Sequence, residues 1–201
     1  MKRHRGMRSD HKEVAKWYKK AAENGNTEAQ SALGYLYENV SGSGGIQMIA
    51  GIDIGTSYSS ICVLDGNGKI QPVETATGVS MYGSKYSLPS AVFADDDGTV
   101  LVGQAAMNNR RNKPGQFCME FKRNLGQDIP IFLGNHSFLP EDLYREIFIH
   151  MKNCVKKAYG EDITQVCVTC PAAYGKKKRE KVMTAAKAAG LFQVSLVDEP
   201  T

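Results

Sequence analysis

The sequence predicts an α/β domain preceded by a small all-α helical hairpin, and three observations carry that expectation. After residue 48 the chain alternates short apolar runs, bounded by turn residues, with longer segments of three- and four-residue apolar spacing. That order builds α/β sheets. Before it, apolar residues recur at helical spacing alone. Between the two lies Ser41-Gly42-Ser43-Gly44-Gly45, a composition that makes a flexible tether. The expected organisation is a helical part over 1–40, a linker over 41–48 and an α/β part over 49–201.

In the helical part, Val14, Ala15, Trp17, Tyr18, Ala21 and Ala22 mark an amphipathic helix from Asp10 to Glu23, and Asn24-Gly25-Asn26 ends it. Thr27 can cap a second helix through its hydroxyl, with Ala29, Ala32, Leu33, Leu36 and Tyr37 as the apolar stripe. The string from Ala15 to Asn39 resembles one Sel-like repeat, a relative of the tetratricopeptide repeat. Small residues Ala22, Ala29, Ala32 and Gly34 suit close helix approach. Such repeats stack to bind partner proteins, and one alone cannot bury its apolar face. The resemblance therefore implies a protein partner for the hairpin, and either further repeats upstream or packing on the next domain.

In the α/β part, Met48 to Ile54, Ser59 to Leu64 and Lys69 to Val73 read as strands, with Asp65-Gly66-Asn67-Gly68 as a tight turn. Leu88 to Ala94 and Thr99 to Val102 form another strand pair around Asp95-Asp96-Asp97-Gly98, followed by a short helix from Gln104 to Asn109. Pro140 in a first turn, then Leu143, Ile147, Met151 and Val155, predicts a long helix to about Tyr159. Ile163 to Thr169 reads as a strand, Lys176 to Ala189 as a helix closed by Gly190, and Val194 to Val197 as a strand.

Composition bounds the function. Apolar residues make up 42% and charged residues 23%, enough for a packed core. No apolar run approaches the ~18 residues of a membrane span, and the basic start Met1-Lys2-Arg3-His4-Arg5 leads into no signal-type stretch. Five cysteines at scattered positions suit a reducing compartment. Cytoplasmic location and no membrane role are expected. Residues 1–24 hold eight Lys/Arg against three Asp/Glu, so this end carries +5 of a formal +4 and the remainder −1. Without an aromatic or Gly-rich nucleic-acid motif beside it, the basic end reads as a solvated helix face, and no nucleic-acid partner is expected.

One segment has the parts of a phosphate loop. In Gly51-Ile52-Asp53-Ile54-Gly55-Thr56-Ser57-Tyr58, Gly55 allows close backbone approach and Thr56 and Ser57 supply amides and hydroxyls. Asp53 can hold magnesium through water. Taken alone, a hairpin turn rich in small residues fits equally well. The order of later motifs decides between the two.

The loop resembles the first phosphate loop of the actin, sugar-kinase and heat-shock-70 superfamily, whose architecture resembles ribonuclease H. Met119-Glu120-Phe121-Lys122-Arg123-Asn124-Leu125-Gly126, Val168-Thr169-Cys170-Pro171-Ala172, the helix containing Arg179, and Asp198-Glu199-Pro200-Thr201 follow in the order of the DnaK-type heat-shock-70 family. Leu88-Pro89-Ser90, Leu101 to Ala106 and Phe138 to Asp142 are smaller echoes. The resemblance spans nearly everything after the linker and implies the first lobe of an actin-like ATPase domain. It implies that Lys122 reaches the γ-phosphate of ATP, that Gly55, Thr56, Ser57 and Tyr58 line the nucleotide, and that Glu199 helps hold magnesium and its water. Pro171 and Arg179 would relay nucleotide state toward a peptide-binding domain.

On this resemblance the expected function is an ATP-binding, ATP-hydrolysing chaperone. Unfolded clients and co-chaperones would be engaged through C-terminal parts beyond Thr201, with ATP or ADP and magnesium as ligands. The chain stops before a second phosphate loop, so weak activity is expected of it. The alternative is an interaction adaptor with an inert ATPase-like scaffold; Lys122 and the Glu-Pro-Thr ending argue against a sugar kinase. Departures from the family are Ser57 for Thr, Cys170 for Val, Ala173-Tyr174 for Tyr-Phe, and Asp198 for Asn. They weaken the expected relay and leave the loop and Lys122 intact.

Other suggestive groups read as structural. Cys167 and Cys170 form a Cys-x-x-Cys, but residues three apart on a strand point to opposite faces. Asp95-Asp96-Asp97 lacks the later ligands of a calcium loop and reads as a turn. Lys176 to Arg179 is expected to be a solvated helix face, and the four histidines share no local context.

Overall fold

A computed structural model describes residues 48–64, 69–76 and 84–199. Strand β1 (Ile49–Ile54) is buried at every position, as its nearly unbroken apolar run demands of a strand covered on both faces. On one side it pairs antiparallel with β2 (Tyr58–Leu64), and on the other parallel with β10 (Gln165–Cys170). β3 (Ile70–Pro72) extends the sheet beyond β2, and β11 (Gln193–Asp198) extends it, parallel, beyond β10. The order is β11-β10-β1-β2-β3, with β4 (Leu88–Pro89) pairing onto the start of β2.

Alternate strand residues meet two helices. Ala50, Ile52, Ile54, Ile61, Val63, Val166 and Val168 share one core with the apolar stripes of α2 (Pro140–Tyr159) and α3 (Lys176–Ala188). Helix α2 begins where the sequence predicts: Pro140 occupies the first turn, and the Leu139 N–H donates to Asp142 Oδ2 at 2.9 Å. Leu143, Ile147, Met151 and Val155 are buried on it, together with Tyr144 and Phe148. It ends at Gly160, whose φ of 74° is a left-handed cap that a side chain would strain. The other sheet face carries a smaller cluster of Ile49, Cys62 and Cys167. Cys170 belongs to the main core instead, so the two cysteines of the Cys-x-x-Cys do sit on opposite faces.

A second layer, β5 (Ala91–Ala94), β6 (Val100–Val102) and β7 (Phe117–Met119), forms an antiparallel sheet of order β6-β5-β7. Helix α1 (Gln104–Asn109) packs on it through Ala106. Strands β8 (Ile131–Leu133) and β9 (His136–Phe138) make a separate hairpin. The expected single strand from Leu88 to Ala94 is in fact two: it breaks at Ser90, sending β4 to the main sheet and β5 to the small one. The Sel-like hairpin and the Asp65 to Gly68 turn lie outside the described residues. Among those described, no helix is long and apolar enough to cross a membrane.

Candidate functional site

Parallel strands β1, β10 and β11 end at the same edge of the sheet, the edge at which open α/β sheets receive ligands. Asp53, near the end of β1, is 8% exposed, and the Thr169 hydroxyl donates to its Oδ1 at 2.6 Å from the adjacent strand. A hydrogen bond of this length to a carboxylate fixes its direction.

The β1–β2 turn is drawn tight around Gly55. A Cβ there would stand 2.2 Å from the Tyr58 carbonyl oxygen, so any side chain would force the turn open. Ser90 fastens the turn from behind. Its hydroxyl donates to the Gly55 carbonyl at 2.8 Å, its N–H donates to the Ser57 carbonyl at 2.9 Å, and the Ser59 hydroxyl then donates to Ser90 Oγ at 2.8 Å. Thr56 is left half-buried and Ser57 and Tyr58 exposed.

Lys122 arrives from a short 3₁₀ turn, Phe121–Asn124, anchored by the buried Phe121 and Leu125. Only 9% exposed, it donates through Nζ to Glu199 Oε1 at 2.9 Å, across 77 residues of sequence. Glu199 follows β11 directly, and its N–H is held by the Cys170 carbonyl at 2.8 Å. Burial pushes the Cys170 thiol up to about 11, so it stays protonated at neutral pH.

Beside this pair, Pro171 and Arg179 are joined through Tyr174. The Tyr174 N–H donates to the Pro171 carbonyl at 2.8 Å, and the Tyr174 carbonyl accepts from Arg179 Nε at 2.9 Å. The Arg179 guanidinium also pairs with Asp198, which raises its pKa. Lys177 and Lys181 bind Asp128 at 2.6 and 2.9 Å, and Lys181 also reaches Glu141. Lys176 and Lys177 are exposed, as expected of a solvated helix face, and Lys177 and Arg179 also find acidic partners there, because the loop after Lys122 and the end of β11 converge on the first turns of α3. The Asp95 to Asp97 run is the turn expected, its carboxylates taken by Lys113, Gln116 and the backbone N–H groups of Asp96 and Thr99.

The model of the Hsp70 protein family matches residues 49–132 and 128–201. The chain belongs to the Hsp70 family. Among its relatives, the chaperone protein DnaK of Methanothermobacter thermautotrophicus is 34% identical over 155 residues, which is 77% of this chain and 26% of that protein. DnaK of Endomicrobium trichonymphae is 34% identical over 153 residues, 76% of this chain and 24% of the relative. DnaK of Halobacterium salinarum is 31% identical over 156 residues, 77% and 24% of the two chains. The match thus spans about a quarter of the length of these relatives. The mixed sheet is consistent with the actin-like ATPase lobe of Hsp70 proteins.

Three of the residues singled out in the sequence, Asp53, Lys122 and Glu199, lie at or beside the strand ends, with Lys122 and Glu199 in direct contact. Gly55, Thr56, Ser57 and Tyr58 form the turn that follows β1, while Pro171 and Arg179 flank the Lys122–Glu199 pair through Tyr174. Sequence reading did not single out Thr169, Ser90 or Tyr174 as site residues. Tyr174 stood out only as a departure from the family pattern, and Ser90 only as part of a small echo.

Proposed function

We propose that this chain is the first lobe of an Hsp70-type chaperone ATPase that binds ATP or ADP with magnesium at the ends of β1, β10 and β11. The observation that carries this reading is the 2.9 Å contact between Lys122 and Glu199, brought from distant segments to the strand ends that also present the Gly55 turn. The donor set fits a polyphosphate. Gly55 admits close approach of backbone amides, Thr56 and Ser57 add hydroxyls, and Lys122 adds a positive charge.

Magnesium, held through water by Asp53 and assisted by Glu199, would neutralise phosphate oxygens, as expected of an ion that keeps several waters. The protein's own contributions are positional. The Thr169 hydroxyl fixes Asp53. The Phe121–Asn124 turn fixes Lys122, whose ammonium is available to charge developing on a transferring phosphoryl group. Glu199 keeps that ammonium directed at the strand ends, and its second oxygen is left to orient a water. Pro171 and Arg179 carry the state of the site outward through Tyr174.

The described residues furnish one wall of such a site, so weak affinity and slow turnover are proposed for this chain by itself. Client proteins and co-chaperones would be engaged by parts beyond the described residues, a protein partner by the helical repeat, and the setting would be cytoplasmic. Isothermal titration of the chain with Mg-ATP and Mg-ADP tests the reading. Saturable binding that is lost in Gly55→Val supports it. Absence of heat at millimolar nucleotide, with the fold intact by circular dichroism, would favour the adaptor with an inert scaffold.

A further inference from the structure

We propose that Tyr174 is a positioning residue for Lys122, acting through its phenol hydroxyl. The hydroxyl donates to the Lys122 carbonyl at 3.4 Å, across 52 residues of sequence, and the Lys122 ammonium lies 6.0 Å from the centre of the Tyr174 ring. Close to it stands Tyr144, on α2 and buried. The direction of this bond follows from the inventory of protons. The Lys122 carbonyl can only accept, so Tyr174 donates to it. Phe121, next to Lys122, packs edge-on against Tyr144 at 5.7 Å, so this helix residue braces the lysine turn through its neighbour.

Tyr174 also supplies the backbone atoms that join Pro171 to Arg179. The lysine is thereby tied to the Arg179–Asp198 pair by one residue: main chain toward Arg179, side chain toward Lys122. The 3₁₀ turn that carries Lys122 is four residues long, entered through Glu120 at φ 58°. A turn that short has few internal bonds with which to hold its own main chain. An external donor to the Lys122 carbonyl supplies what the turn lacks. A phenylalanine at this position would keep the ring and lose the bond.

The inference deepens the reading that Lys122 serves a polyphosphate, and its test is independent of nucleotide. Wild-type chain, Tyr174→Phe and Tyr174→Leu are labelled with a trace of acetic anhydride, and acetylation of each lysine is followed by peptide mass spectrometry. Lys152, bonded to the Ala189 carbonyl at the far end of α3, serves as the internal reference. Tyr174→Phe is expected to raise Lys122 labelling roughly three- to tenfold, the range that one net hydrogen bond represents. Lys152 labelling stays unchanged, and so does that of Lys178, whose ammonium lies 5.1 Å over the retained ring.

Unchanged Lys122 labelling in Tyr174→Phe overturns the proposal. So does a rise shared by Lys122 and Lys152, which would mark general loosening. Should Tyr174→Leu fail to fold, Tyr174→Phe alone still decides. A final arm adds Mg-ATP to the wild type. Failure of Mg-ATP to protect Lys122 sinks the nucleotide reading and leaves the positioning result standing.

Discussion

Two ion-paired regions leave the same stretch of chain and differ in water. Lys122 meets Glu199 with side chains 10% and 27% exposed, whereas six residues later Asp128 meets Lys177 and Lys181 with its own side chain half exposed. Charges taken out of water are costly and recover that cost only through good geometry, while exposed pairs contribute little and are screened by salt. The exposed network trims a loop. The sheltered pair keeps an ammonium ready where a negatively charged ligand is proposed to arrive.

The sharpest way to break this contrast is to remove one half of the sheltered pair. Glu199→Ala leaves Lys122 enclosed without its carboxylate and is expected to cost about 2 to 3 kcal/mol in urea unfolding. Lys122→Met removes the enclosed charge, keeps an apolar stem of similar length, and is expected to cost under about 1 kcal/mol. If the two variants are equally destabilising, the sheltered pair is no different from a surface one. Next in size is the response to salt. Raising sodium chloride from 0.05 to about 1 M shortens the screening length from above 10 Å to about 3 Å. It should weaken the Asp128 network, read as loss of the difference between wild type and Asp128→Asn, and leave the Glu199→Ala cost nearly unchanged.

The smallest effect sharpens the exposed side. Hydrogen bonds from Lys177 and then Lys181 hold the Asp128 carboxyl down, from 3.8 to about 2. Since the folded value lies below the unfolded one, the contribution is complete above pH 4 and is lost as pH falls towards 2. Carboxyl NMR should place the Asp128 midpoint near 2, and Asp128→Asn should flatten only this acid limb of stability. A midpoint near 3.8 would mean that the network does not persist in solution.

Much of the larger architecture was readable from local pattern. Helix α2 announced itself through Pro140 and the four apolar residues at helical spacing, and the structure begins it at Pro140 and ends it at Tyr159. The meander of β1, β2 and β3 followed from three apolar runs in succession. The break at Ser90 was not readable, because Leu88 to Ala94 is one apolar run apart from a serine whose bonds reach back to Gly55, Ser57 and Ser59. The β8–β9 hairpin was missed although its turn signal was present: Gly134-Asn135, a favoured two-residue turn, joins apolar Ile131–Leu133 to the mixed His136–Phe138. Strands of three residues fall below what periodicity can mark.

The site was legible only as motifs in a known order. The sequence pattern alone offers no way to see that Lys122 touches Glu199, that Thr169 holds Asp53, or that Tyr174 spans 52 residues to the lysine turn. Such contacts depend on the crossing of strands and helices, which local spacing does not encode.

The parallel pairing of β1 with β10 has a consequence for biosynthesis. Thr169 lies 116 residues downstream of Asp53, and ribosomes add about 5 to 20 residues per second. Strand β1 therefore emerges some 6 to 23 s before its clasp exists. Throughout that interval one flank of β1 is an open template, able to pair with any passing extended segment, while only the meander on its other flank has formed. Closure of the nascent sheet must await β10, a delay of the kind that slows folding wherever non-local pairing dominates.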